Sequence, residues 1–126
     1  MERKFTDIFP LRGPEAYLCR VYFYQLGHSV MYVRVENLHT KKLFFVVFTG
    51  VYYFSGLLAW QGADFQIEKQ EKMASFMQKL NPAKQWEDVL LQQYKSYLVP
   101  NVTPETRIIA FNAYVLDQLP PEIIAK

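Results

Sequence analysis

The sequence predicts an α+β fold: an antiparallel sheet of about 5–6 strands, able to curl strongly on itself, with two consecutive amphipathic helices packed on one face. Three observations predict it. Aromatic residues make up 17% of the chain, and 13 of them fall between Tyr17 and Phe65 among Val and other strand-favouring residues. Gly, Pro and Asn cut this first half into short extended pieces. After residue 67 the apolar period changes from two to 3.6. At 126 residues, with 51% hydrophobic and 21% charged side chains, the chain reads as one globular domain, 1–126, and not as a disordered segment. A chain of this length buries about two thirds of its unfolded surface and needs no disulfide or metal staple.

Residues 1–15 are polar, contain Pro10, Gly13 and Pro14, and read as an irregular lead-in. The antiparallel strands occupy 16–67. The first runs over 16–26, and Gly27-His28 supplies a two-residue hairpin turn of the Gly-first kind. The second covers 29–36. Asn37-Leu38-His39-Thr40 makes the next turn, and Lys41 begins the third strand. Beyond that strand, Gly50, Ser55-Gly56 and Gly62 divide the chain into about three short pieces ending near Ile67. Two helices fill 68–98. In the first, Met73, Phe76, Met77 and Leu80 share a face at i, i+3, i+4 and i+7. Asn81-Pro82 stops it and starts the second, which carries Trp86, Val89, Leu90, Tyr94 and Tyr97 inward until Pro100 ends it. Thr103-Pro104-Glu105 has the chemistry of a helix start, but the β-branched and aromatic residues after it favour a return strand over 106–117.

Residues 43–63 contain no charge and are long enough to span a bilayer as a helix. Thr49, Gly50, Ser55, Gly56, Gln61 and Gly62 interrupt them, so no apolar run exceeds six residues. Buried strands have that pattern, and no membrane association is expected. The start of the chain lacks the apolar stretch of a signal peptide, and its one cysteine, Cys19, cannot form an internal disulfide, so the expected location is cytoplasmic.

The two turns set a register. Gly27-His28 pairs Phe23 with Tyr32 and Val21 with Arg34, and the 37–40 loop pairs Tyr32 with Phe45 and Glu36 with Lys41. Alternation then sorts the side chains. One face holds Leu18, Tyr22, Tyr24, Met31, Val33, Val35, Phe44, Val46 and Phe48. The other holds Val21, Phe23, Val30, Tyr32, Leu43, Phe45 and Val47, with Arg34, Glu36 and Gln25 at its margins. Helices can bury one face. The second needs closure of the sheet, the N-terminal lead-in, or another molecule.

No catalytic chemistry emerges. His28 and His39 sit at opposite ends of one strand, about 26 Å apart at about 3.3 Å per residue, too far to share a proton or a metal. Cys19 has no histidine near it in the register and reads as a small buried hydrophobe. Gly50, Gly56 and Gly62 lie six apart, the spacing of neither a dinucleotide fingerprint nor a phosphate loop. Among the acids, Asp64 and Glu68 flank a strand end, and Glu87 and Asp88 fall on the second helix. Residues 42–48 resemble the aromatic strand of RNA-recognition modules but lack both of its glycines, and no helix separates the first two strands. Net charge is only +2 with no basic run, so nucleic acid is not an expected partner. No cofactor and no metal are expected.

These features together read as a non-enzymatic interaction or regulatory module. It acts as a homodimer or on a protein partner through an aromatic-rich sheet face, with Phe23, Tyr32, Arg34, Phe45 and Val47 as the candidate binding residues. Rigid rings and a planar cation are the composition of an interface hot spot. The alternative is a protein that holds a small apolar ligand in a cavity between the curled sheet and the helices.

Overall fold

The structure is a computed structural model that describes residues 2–25 and 29–120. The predicted turn at Gly27-His28 lies outside them, as do the side chains of Phe23, Tyr24 and Gln25. The fold is mixed α+β, with few helices and two antiparallel sheets instead of one curled sheet. The larger sheet has the order β1-β10-β4-β3-β2-β6: β1 (Glu2–Lys4), β2 (Tyr17–Gln25), β3 (Val30–Asn37), β4 (Leu43–Thr49), β6 (Ala59–Gln61) and β10 (Asn112–Leu116). The smaller has the order β5-β9-β8-β7: β5 (Tyr53–Ser55), β7 (Gln66–Ile67), β8 (Lys95–Val99) and β9 (Thr106–Ala110). Both sheets contribute to one core, which includes Met31, Val46 and Phe48 from the larger and Tyr97, Ile108 and Ala110 from the smaller.

The sheets join at a corner. The β4–β10 ladder ends at Thr49 opposite Asn112, and the β5–β9 ladder begins with Tyr53 opposite Ile109. Gly50 turns one chain with φ +63°, and the Phe111 ring fills the space a Cβ at Gly50 would need. The predicted return strand over 106–117 is therefore two strands in two sheets, broken at Phe111.

The lead-in is not irregular. β1 pairs with β10, and the short helix α1 (Phe5–Ile8) follows it. Phe5 and Phe9 are buried and meet Phe65, with their own rings 4.6 Å apart. The lead-in closes the inter-sheet core and leaves the second face of the β2–β4 sheet alone.

The helical half also differs. Helix α2 (Gln70–Leu80) forms where the 3.6 period places it, and its Met73 and Met77 pack with Ile109 of β9. The second helix shrinks to α3 (Asp88–Gln93), and β8 takes residues that were expected to continue it. Tyr94, Tyr97 and Leu98 fit either period. Pairing of β8 with both β7 and β9 decides for the strand. Among the described residues no helix is long and apolar enough to cross a membrane, and residues 43–63 form β4, β5 and β6.

Two register shifts change which side chains share a face. Phe23 does pair with Tyr32, but Tyr22 is the extra residue of a β-bulge. Beyond it Val21 faces Val33, and Arg34 faces Arg20 in place of Val21. The bulge carries Cys19 into the core, where it faces Val35 and not Glu36, and turns Leu18 and Tyr22 outward. At the next turn Asn37 belongs to the strand. Its Oδ1 accepts from the backbone N–H of His39 and Thr40, and its own N–H donates to Lys42 O at 2.8 Å. The loop is thereby 38–41, so Tyr32 faces Val47, Arg34 faces Phe45 and Glu36 faces Leu43. The expected pairs Tyr32–Phe45 and Glu36–Lys41 do not form.

Candidate functional site

Alternation along β3 and β4 sends Met31, Val33, Val35, Val46 and Phe48 into the core and their neighbours outward. On the outer face Tyr32, Phe45 and Val47 form a small cluster of their own, with Val30, Tyr114 and Leu116 packed against it. Leu119, just past β10, is buried in the same cluster. Four of the five predicted site residues are thus brought together on one face: Tyr32, Phe45 and Val47 beneath Leu119, and half-buried Arg34 beside them. The fifth, Phe23, pairs with Tyr32 in the ladder, and its side chain lies outside the described residues.

Coverage of this face is partial. Leu119 shields the β3–β4–β10 side, while toward β2 Tyr22 remains 50% exposed and Leu18 and Leu43 each 37% exposed. Between the two lies an open groove of about 320 Å³, lined by Tyr22, Leu43, Phe45 and Leu119 with Arg34 and Asp117 among its polar groups. Tyr22 meets Phe45 edge to face at 5.9 Å. Arg34 Nη1 donates to Glu36 Oε1 at 3.4 Å, long for a charged pair. Asp117 accepts from Arg3 at the β1–β10 edge.

Sequence reasoning missed Tyr22, Arg20 and Leu119. The bulge that exposes the first two leaves no mark in the residue pattern. The signal for Leu119 was an apolar residue just after a strand and before Pro120.

A second group of rings gathers around the sheet corner, with Tyr52 and Phe111 exposed and Trp86 and Tyr94 half-buried. Here the rings satisfy one another. Tyr94 stacks on Phe111 at 4.6 Å, Tyr52 meets Trp86 edge to face, and Lys84 Nζ lies 4.3 Å over the Trp86 ring. Burial, with Tyr52 a lesser cause, raises the Tyr94 phenol.

The chemistry-bearing side chains are engaged in structure. Cys19 is fully buried, its Sγ lies 3.6 Å from Gly62 O, and burial pushes its thiol up to about 12, so it stays protonated and poorly nucleophilic. Asp64 accepts from Gln66 and Asn101, and Glu68 accepts from Arg107. His39 sits in the 38–41 loop, and His28 lies outside the described residues. Among the described residues no three His, Cys, Asp or Glu side chains lie close enough to hold a metal ion. Comparison with protein-family models, with curated proteins and with solved structures returns no match for this chain.

Proposed function

We propose that the chain is a non-enzymatic interaction module of the cytoplasm that docks a partner protein on the outer face of β2, β3 and β4. The observation that carries this reading is the groove between Tyr22 and Leu119. It is apolar at its centre, polar at its margins, and flanked by the outward-facing side chains of Leu18 and Leu43. A ring that is already oriented yet half exposed loses little entropy on docking and offers a large contact area. The alternative, a small apolar ligand in a cavity between sheet and helices, has less support, because Met73, Met77 and Ile109 are buried together where α2 meets β9, and Met31, Phe48, Phe65 and Tyr97 fill the core between the sheets.

Panning a displayed random-peptide library on the folded protein tests the reading. Enriched peptides should share an apolar anchor, and Tyr22→Ala should weaken their binding by about 2 kcal/mol or more with the melt unchanged. Enrichment indifferent to Tyr22→Ala overturns the assignment of this face. Solution mass at several concentrations separates the other case: a dimer dispersed by the same substitution means that the occupant is a second copy of the chain.

A further inference from the structure

On β2 and β3, Arg20 and Arg34 stand directly opposite each other, both on the outer face. Directly opposed side chains are about 4.5–5.5 Å apart at Cβ, and like charges at that separation destabilise a sheet. Little in the chain relieves this pair. Among the described residues Arg34 has only its long contact to Glu36, and no ion pair reaches Arg20. The bulge at Tyr22 creates the arrangement, because an unbulged β2 would set Val21 against Arg34. One irregularity therefore both exposes the Tyr22 ring at the groove and doubles the positive charge beside it.

We propose that Arg20 and Arg34 form a two-guanidinium clamp for a carboxylate side chain in an acidic segment of the partner protein, whose neighbouring apolar side chain enters the groove at Tyr22, Leu43 and Phe45. This deepens the docking reading above and rests on it. Each guanidinium presents a planar fork that matches a carboxylate, and an anion between the two removes their mutual repulsion. The carboxylates nearest the clamp do not supply that anion: Glu36 contacts Arg34 only, and Asp117 is held by Arg3. A second copy of the chain fits poorly there, since a two-fold axis through the clamp would set the arginines of one copy against those of the other.

The test uses two blocked tetrapeptides, Glu-Leu-Glu-Glu and its amide counterpart Gln-Leu-Gln-Gln, with inorganic phosphate as a third probe. Binding is followed by NMR at the side-chain Nε–Hε groups of Arg20 and Arg34 and at the Tyr22 ring. The acidic peptide should bind at least about tenfold more tightly than the amide peptide, a preference that weakens with added salt. Arg20→Glu should abolish the preference while holding or raising the melting midpoint, because it turns a like-charge pair into an opposite-charge pair. Arg20→Gln gives the same readout if the charge reversal disturbs folding. Equal binding of both peptides at the Tyr22 ring overturns the clamp and leaves the docking reading standing. No response to either peptide overturns both. Phosphate moving the arginine signals while the acidic peptide does not assigns the pair to small anions and overturns the acidic-segment proposal.

Discussion

On the four-stranded sheet Met73 and Met77 of α2 pack with Ile109 of β9, and Arg107 of the same strand takes part in a charged pair. Arg107 donates to Glu68 and lies 4.0 Å from the Phe76 ring centre, with the Arg107 and Glu68 side chains only 14% and 9% exposed. Among the described residues no helix packs in this way on the outer side of the six-stranded sheet. Leu119 covers Tyr32, Phe45 and Val47, and the β2 side is left open. On the first side charges are drawn inward and paired. On the second Arg20 and Arg34 face each other, and among the described residues only the long contact of Arg34 to Glu36 offsets them. What differs is how each sheet accommodates charge: one pairs it under cover, and the other leaves it at the surface.

The comparison breaks most clearly at Glu68. Glu68→Ala leaves the largely buried Arg107 with only its longer contact to Glu105 and should cost toward the lower end of about 3–5 kcal/mol in a denaturant melt. Asp117→Ala removes the exposed pair with Arg3 and should cost about 1 kcal/mol or less. Equal losses would remove the distinction between the two sides. Next in size is Tyr32→Ala, at about 3 kcal/mol or more, because that ring is buried under the cover and its loss is felt in folding before it is felt in binding. Leu119→Ala should cost about 2 kcal/mol, the low end for a leucine closing a small cluster from one side, and should raise solvent quenching of tyrosine fluorescence. An unchanged quenching constant would show that another group covers Tyr32.

The smallest effect depends on pH. Burial holds the Cys19 thiol up to about 12 against an ordinary 9.0, and the Tyr97 phenol up to about 12 against 10.0. Both keep their proton more tightly when folded, so the unfolded chain releases it first as pH rises. Their contribution is complete below the unfolded values and is lost as pH climbs through the folded ones. Melts at about pH 8 and about pH 11 should show falling stability, with a shallower fall in Cys19→Ala. Identical slopes in the two proteins would count against the burial of Cys19.

Much of the six-stranded sheet is legible because β2, β3 and β4 alternate and are dense in Val, Phe and Tyr. Legibility ends where alternation fails. Any residue of β2 could be the extra one, and a single bulge exchanges the faces of Leu18, Cys19, Val21 and Tyr22. Asn37 is as good a strand end as a turn residue, and only its side-chain bonds to His39 and Thr40 settle which. Residues 94–99 satisfy two periods at once, and long-range pairing chooses between them. The lead-in is readable in principle, since Phe5, Ile8 and Phe9 follow the i, i+3, i+4 pattern, but the charged and proline-rich surroundings hide it. For the candidate site, residue type identifies the face, while its open half is set by the bulge and by Leu119.

The pairing of β1 with β10 sets Glu2 opposite Leu116, almost the full length of the chain apart. On the ribosome β1 emerges before the strand it pairs with, and β2 to β9 are made in between. Until then Ala113 and Val115 of β10 are missing from the core that Phe5 and Phe9 plug, and that end stands open. Vectorial synthesis can complete the β2–β3–β4 meander early, but the molecule seals only when its final strand slides between β4 and β1. Ribosome-bound chains stalled before residue 106 should remain open to proteolysis around α1, and chains carrying β10 should not.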